Sequence, residues 1–273
     1  METATKDAAN GDYSSQGFWE QRYANEPKGG VCEWYFSLET LLPLMRSANL
    51  LSEEDEDEKM KRTIDVLEIG CGDAPLLPAL PLGMARGRRV AIDFSAHVIE
   101  KLLKEAPSSS SSSSCEFLVE DARRMRSFAA HSFDLLIDKG TLDAMLCDPR
   151  LGARNVRQIF QQVTRIMRPT GAFLIVSHLS FASEEFQDML QSVVMPVLIE
   201  EDRSSQWSLE VFQTEEDDEE EEGDDSENEE EEEKKAQRAA TVYLYRRRPR
   251  RFTRHMLLTP AALTTVIRTF EQS

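Results

Sequence analysis

The sequence predicts an α/β fold, a mostly parallel sheet of seven strands that ends in an antiparallel hairpin. Three observations predict it. Short β-rich runs alternate with helix-like stretches from Thr63 onward. The last two strand-like runs, Trp207–Phe212 and Thr241–Arg246, have no helical stretch between them, so they join as a hairpin and not through a crossover. The 273 residues suffice for one well-buried domain.

Ile64–Ile69 is short, β-rich and stopped by Gly70, which reads as a buried first strand. Pro75, Pro78 and Pro81 follow, so the first helix should be short or irregular. Arg89–Asp93 is the second strand, Ala96–Glu105 a helix and Glu116–Val119 the third strand. Phe133–Asp138 is the fourth, and Asn155–Met167 carries helical apolar spacing. Pro169-Thr170-Gly171 makes a turn into a fifth strand, Ala172–Ser177, and Glu184–Leu190 suggests another helix. The layout is five β-α units and a hairpin, without internal repeats. Around it stand a disordered N-terminus (1–15), a lid segment (16–62) with an acidic loop (53–58), and the main domain (63–273). The domain holds a serine-rich loop (108–114) and a disordered acidic insert (214–235).

The net charge of −18 belongs to the inserts. Glu215–Glu233 holds 16 acidic residues and Glu53–Glu58 six; the other 28 of the 50 face 32 Lys and Arg, leaving the folded body near neutral. Cys32, Cys71, Cys115 and Cys147 show no Cys-x-x-Cys spacing, which argues against a zinc site or a disulfide framework and suits a reducing compartment. The polar start has no signal-peptide or transit-peptide pattern, and no apolar window spans a bilayer. The expected location is cytoplasmic, with no membrane partner and no metal.

The candidate site begins at Glu68-Ile69-Gly70-Cys71-Gly72. Gly70 and Gly72 permit a tight turn and close backbone approach to a ligand. Pro75 stands where a dinucleotide fingerprint has its third glycine, which weakens the case for a pyrophosphate on a helix N-terminus. S-adenosylmethionine carries no phosphate and does not need that geometry. Glu68 would sit under the pocket and organise water or backbone donors. Asp93, ending the second strand with Phe94 beside it, can accept from both ribose hydroxyls, as acids in NAD enzymes also do. Asp121 is placed for an adenine amino group, with Ala122 donating through its backbone; a helix N-cap is the competing reading of Asp121. Asp138-Lys139-Gly140-Thr141-Leu142-Asp143-Ala144 brings two carboxylates and a hydroxyl to the sheet's carboxyl edge. Thr141 and Asp143 could instead cap the next helix, a reading that suits them better than Asp138, the candidate catalytic carboxylate. Trp19, Tyr23, Trp34 and Tyr35 precede the first strand and can fold over the pocket, where Arg22 could pair with the ligand's carboxylate. For any single aromatic, packing the lid onto the sheet is the favoured reading; of the group, one or two should contact the ligand. The Arg-rich segment 246–254 could touch nucleic acid or an acidic protein; solvation and compensation by the chain's own insert is favoured, so no nucleic-acid partner is expected.

Phe18-Trp19-Glu20-Gln21-Arg22-Tyr23, Glu33-Trp34-Tyr35, Val66–Gly72, Asp138–Ala144 and Ile175-Val176-Ser177-His178-Leu179 together resemble the lysine methyltransferases acting on elongation factor 1-alpha and citrate synthase. The resemblance covers roughly Gly17–Arg248. It implies a Rossmann-like, seven-stranded class I methyltransferase sheet, S-adenosylmethionine as donor, and a protein lysine as acceptor. Elongation factor 1-alpha or another abundant protein would be the partner. The proline-rich first connection, the serine tract and the acidic insert depart from it, and the insert leaves the protein substrate open. A lysine acceptor sets a chemical demand: freeing its amine at pH 7 costs roughly 4–5 kcal/mol against an unperturbed pKa of about 10.4. Competing functions are a small-molecule methyltransferase, which would share every cofactor motif, and a non-catalytic binding protein keeping the fold. An NAD-dependent oxidoreductase is disfavoured by Pro75 and the terminal hairpin.

Overall fold

The computed structural model describes residues 12–25, 33–51, 63–81, 85–106, 115–202, 205–214, 240–249 and 264–270. The acidic loop 53–58, the serine loop 108–114 and all of the acidic insert beyond Thr214 lie outside the described residues.

The chain forms α1 (Gln16–Asn25), α2 (Leu38–Ser47), β1 (Val66–Ile69), β2 (Arg89–Asp93), α3 (Ala96–Glu105), β3 (Glu116–Val119), β4 (Phe133–Lys139), α4 (Thr141–Leu146) and α5 (Gly152–Ile166). It continues through β5 (Met167–Ser177), α6 (Glu184–Met189), a π-helical turn (Leu190–Val194), α7 (Met195–Glu201), β6 (Ser205–Thr214), β7 (Thr241–Pro249) and β8 (Thr264–Phe270). The sheet order is β3-β2-β1-β4-β5-β7-β6-β8. β1 to β5 pair in parallel, and β7 inserts antiparallel between β5 and β6. This is the predicted class: a parallel α/β sheet with an antiparallel hairpin at its end.

β1 and β2 are buried along their whole length, as strands covered on both faces must be. One face packs Leu67, Ile69 and Phe173 against Ile159, Phe160 and Val163 of α5 and Val197 of α7. The other packs Val66, Leu135, Leu174 and Val242 against Leu41, Leu44 and Met45 of α2. The N-terminal segment therefore belongs to the core, beyond the lid role read from its aromatics.

Two crossovers differ from the expected β-α alternation. Among the described residues no helix joins β1 to β2 or β3 to β4. In the first, the prolines forbid helical hydrogen bonding, and a buried arginine supplies the order. Arg89 donates to the carbonyls of Leu80 (2.6 Å), Pro81 (2.9 Å) and Ala85 (3.1 Å). β8 is also new: it adds an eighth strand parallel to β6.

The Arg-rich segment is corrected as well. Arg247 is buried, donating to Asp202 (2.5 Å) and to the carbonyl of Met167 (2.8 Å). Arg246 pairs with Glu210 at 2.8 Å. Alternation along β7 turns these side chains to opposite faces, so neither is a solvated counter-charge to the insert. Arg250–Arg254 lie outside the described residues.

Candidate functional site

The parallel register places Ile69 beside both Ile92 and Asp138, and Asp93 beside Val119. The residues just past those positions, Gly70, Phe94, Glu120 and Lys139, therefore leave the sheet along one edge. The chain runs outward from β1 to β3 and returns to β4 on the other side of β1. That reversal opens a crevice at the strands' carboxyl ends, the position where open α/β sheets bind ligands.

Gly70 and Gly72 form its floor with φ of +61° and +55°. A Cβ on Gly70 would stand 1.9 Å from Thr141 Oγ1, and one on Gly72 3.1 Å from the Tyr23 hydroxyl. Both positions thus require a bare backbone. Glu68 lies beneath, accepting from the backbone N–H of Leu76 (2.8 Å) and Leu77 (3.1 Å). Burial pushes its carboxyl up to about 7 in spite of those bonds. Asp93 accepts from Ser95 N (2.9 Å) and Gly72 N (3.1 Å), and burial raises it to about 6. Asp121 accepts from Arg123 through Nε (2.9 Å) and Nη2 (3.0 Å). Burial opposes its ionisation, but Arg123 prevails and holds it below the usual range. No helix follows it, so the N-cap reading falls: Asp121 closes a turn through Arg123 N.

The lid is fastened by a residue outside the expected set. Glu20 of α1 accepts from Ser95 Oγ (2.9 Å), Ala96 N (2.9 Å) and His97 Nδ1 (2.5 Å) at the start of α3. Burial acts to raise its carboxyl, yet these bonds bring it down to about 2. Trp19 and Tyr23 stack with centroids 5.6 Å apart. The Arg22 guanidinium lies 5.7 Å from the Trp19 ring and 5.6 Å from the Trp34 ring, so it is engaged within the lid. Lys139 ties β4 to that layer by donating to Trp34 O at 3.1 Å.

The resulting cavity has a volume of about 260 Å³. Trp19, Tyr23, Glu68, Gly70, Gly72, Asp93, Phe94, Asp121 and Ala122, which the sequence puts forward as candidates, all line it. Arg22 and Asp138 are not among its lining residues.

The two carboxylates of the Asp138–Ala144 turn exchange their expected places. Asp138 is wholly buried and accepts from Leu142 N at 3.3 Å, so it caps α4; burial raises its carboxyl well above the usual range. Thr141 also lines the cavity and donates to Ile69 O at 2.9 Å. Asp143 faces the cavity, accepting from Ser177 Oγ (2.6 Å), the Tyr35 hydroxyl (2.7 Å) and His178 N (3.0 Å), with His178 Nδ1 at 3.1 Å. Tyr35 reaches it from a left-handed backbone, φ +60°. Gly140 makes room, since a Cβ there would meet the Tyr35 ring at 3.0 Å. The sequence motifs contain these residues but do not join them.

The lining suits a cationic ligand. It combines Glu68, Asp73, Asp93, Glu120, Asp121 and Asp143 with only Arg123 and Lys139 as permanent cations. No helix N-terminus follows the Gly70–Gly72 turn among the described residues, so the usual seat of a pyrophosphate is missing.

The raised Glu68 carboxyl has a testable consequence. Its folded pKa exceeds its ordinary value, so its contribution to stability is full below about 4.5 and is lost as pH rises through about 7. Glu68→Gln cannot ionise, and its melting temperature relative to wild type is expected to climb between pH 5 and pH 8. A difference that stays flat across that range refutes the burial argument.

The chain belongs to a methyltransferase family: the model described as a methyltransferase domain matches residues 60–233. It is 29% identical to EEF1A lysine methyltransferase 4 of Mus musculus over 175 residues, which cover 60% of this chain and 61% of that protein. It is 28% identical over 211 residues to the mitochondrial citrate synthase-lysine N-methyltransferase of Homo sapiens, covering 71% and 77%. The chain thus spans about three fifths of the length of the mouse relative. Among solved structures, a magnesium protoporphyrin IX methyltransferase from Synechocystis with bound SAM aligns at a TM-score of 0.46. Its identity is 12%, covering 90% of this chain and all of that one.

Proposed function

We propose that this chain is an S-adenosylmethionine-dependent methyltransferase whose acceptor is a lysine side chain of a protein. The observation that carries the reading is the aromatic-walled, carboxylate-lined cavity over the Gly70–Gly72 turn. Bound there, S-adenosylmethionine would supply an electrophilic methyl group on a sulfonium. Asp93 would hold the ribose hydroxyls, with Phe94 and Ala122 flanking the adenine and Asp121 near its amino group. Tyr23 and Trp19 would close over the sulfonium, where aromatic faces favour positive charge. Asp143, not Asp138, would be the carboxylate that organises the acceptor side of the cavity. Positioning and exclusion of water supply most of the rate in such an in-line displacement. The lysine reading draws further support from the two lysine methyltransferases that this chain resembles.

Calorimetry of the purified chain with S-adenosylmethionine tests the donor. Wild type is expected to bind, and Asp93→Ala to raise Kd roughly 10- to 150-fold, the equivalent of the ~1.5–3 kcal/mol that hydrogen bonds to a charged group contribute. Absence of binding by the wild type sinks the reading. Labelled S-adenosylmethionine in a cell lysate tests the acceptor: a labelled protein band is expected, and label confined to small metabolites overturns the lysine assignment.

A further inference from the structure

We infer that His178 is the base that takes the proton from the acceptor ammonium, oriented for that task by Asp143 and Tyr35; this rests on the lysine-methyltransferase reading above. The assignment comes from hydrogen-bond direction. A carboxylate only accepts, so His178 Nδ1, 3.1 Å from Asp143 Oδ2, must carry the proton. The Tyr35 hydroxyl donates to the same carboxylate oxygen at 2.7 Å and lies 3.3 Å from Nδ1, closing the group from the lid side. Nδ1–H leaves Nε2 as the ring nitrogen with a free lone pair, and His178 lines the cavity. The carboxylate is itself fixed from behind by Ser177 Oγ at 2.6 Å.

The step balances as follows. The ammonium gives one proton to Nε2, leaving a neutral amine and an imidazolium that Asp143 stabilises. The amine lone pair then forms the N–C bond as the C–S bond breaks, and that electron pair stays on sulfur. The methylammonium product leaves, and the imidazolium, its side chain 53% exposed, returns its proton to water. Asp143 and Tyr35 act through His178 and are positioning residues. The other groups around it are Lys139 and buried Asp138 on β4, Cys147 after α4, and Tyr243 on β7, whose hydroxyl donates to Leu179 O at 2.5 Å. The hydrogen bond to Asp143 raises the imidazole above its ordinary value, against partial burial.

Two readouts test this on the full chain. Nitrogen-15 NMR of the imidazoles, without any ligand, is expected to show His178 in the Nδ1–H form, and Asp143→Asn to lower its pKa. The opposite tautomer in the wild type overturns the assignment. Label transfer from S-adenosylmethionine into total lysate protein is then followed from pH 6.5 to pH 10. Wild type is expected to level off above the His178 pKa. His178→Gln, which keeps a donor to Asp143, should fall about 100-fold or more at pH 7 and recover tenfold per pH unit as free amine accumulates. Parallel profiles with equal loss at every pH overturn the base assignment alone. No label from wild type at any pH brings down the lysine reading, and this inference with it. Calorimetry on His178→Gln separates the two levels, since its S-adenosylmethionine affinity should stay within about threefold of wild type.

Discussion

Gly70→Ala is expected to abolish S-adenosylmethionine binding and to lower the melting temperature by roughly 4–20 °C, at ~2–4 °C per kcal/mol for a domain of this size. Two independent costs combine. The backbone at Gly70 is left-handed, φ +61°, which costs an L-residue about 1–2 kcal/mol. The added Cβ would sit 1.9 Å from Thr141 Oγ1 and 2.9 Å from Thr141 Cβ, and forcing extra carbon into a filled site costs about 1–3 kcal/mol more. Thr141 cannot swing aside freely, because its hydroxyl donates to Ile69 O at 2.9 Å. Relief must come from moving the turn itself, which is the cavity floor. Adding Thr141→Gly should return part of the melting temperature by removing the clash, while the backbone cost stays. Calorimetry and thermal melts on both variants decide it. A Gly70→Ala protein that melts within 2 °C of wild type would show the turn to be far more compliant than its geometry implies.

That turn was the most legible part of the site, because its requirements are local. A strand ended by Gly-x-Gly, an acid ending the next strand and a proline barring a dinucleotide helix can be read along the chain. Parallel register then carries Gly70, Asp93 and Asp121 to one edge. The acceptor side is different. Tyr35, Asp143 and His178 come from a pre-sheet loop, α4 and the end of β5, and they meet only because β4 and β5 pair and Tyr35 adopts a positive φ. Whether Asp138 or Asp143 faces the cavity turns on Gly140, whose φ of +83° reverses the chain after β4. Alternation within the strand stops there, so the preference for Asp138 had no local correction.

The departures from simple β-α alternation have similarly specific causes. The prolines make the first helix short or irregular in expectation, and in that crossover the Arg89 guanidinium serves the carbonyls. A buried arginine serving four carbonyls has no signature in periodicity. β8 did carry a signal: Thr264, Thr265, Val266 and Ile267 are all β-branched, a composition that favours strands. The hairpin of β6 and β7 already completes a seven-stranded sheet, so that composition alone does not demand an eighth strand.

The Arg246–Arg254 run shows how a charge pattern misleads when burial is unknown, and it supplies the other large expected effect. Arg247→Ala should destabilise the chain by about 3–5 kcal/mol, the usual cost of breaking a buried ion pair from one side, with a fall in melting temperature of roughly 6–20 °C. Arg247 sits on β7 and reaches Asp202 after α7 (2.5 Å), Ser205 at the start of β6 (3.1 Å), and the carbonyls of Thr164 (3.2 Å) and Met167 (2.8 Å) where α5 meets β5. One guanidinium on β7 thus joins the end of α7, the start of β6 and the junction of α5 with β5. Truncation removes the ion pair with buried Asp202 and a donor to two carbonyls. Arg248 next to it is exposed, and Arg248→Ala should change stability by no more than about 0.5 kcal/mol. Converting the pair together, Arg247→Met with Asp202→Leu, should recover a good part of the loss, since the desolvation of both charges disappears with them. The carbonyls of Thr164 and Met167 keep that recovery incomplete. Denaturant melts of the three variants measure each difference. Equal, small shifts for Arg247→Ala and Arg248→Ala would return the whole run to the solvent-facing role that its sequence suggests.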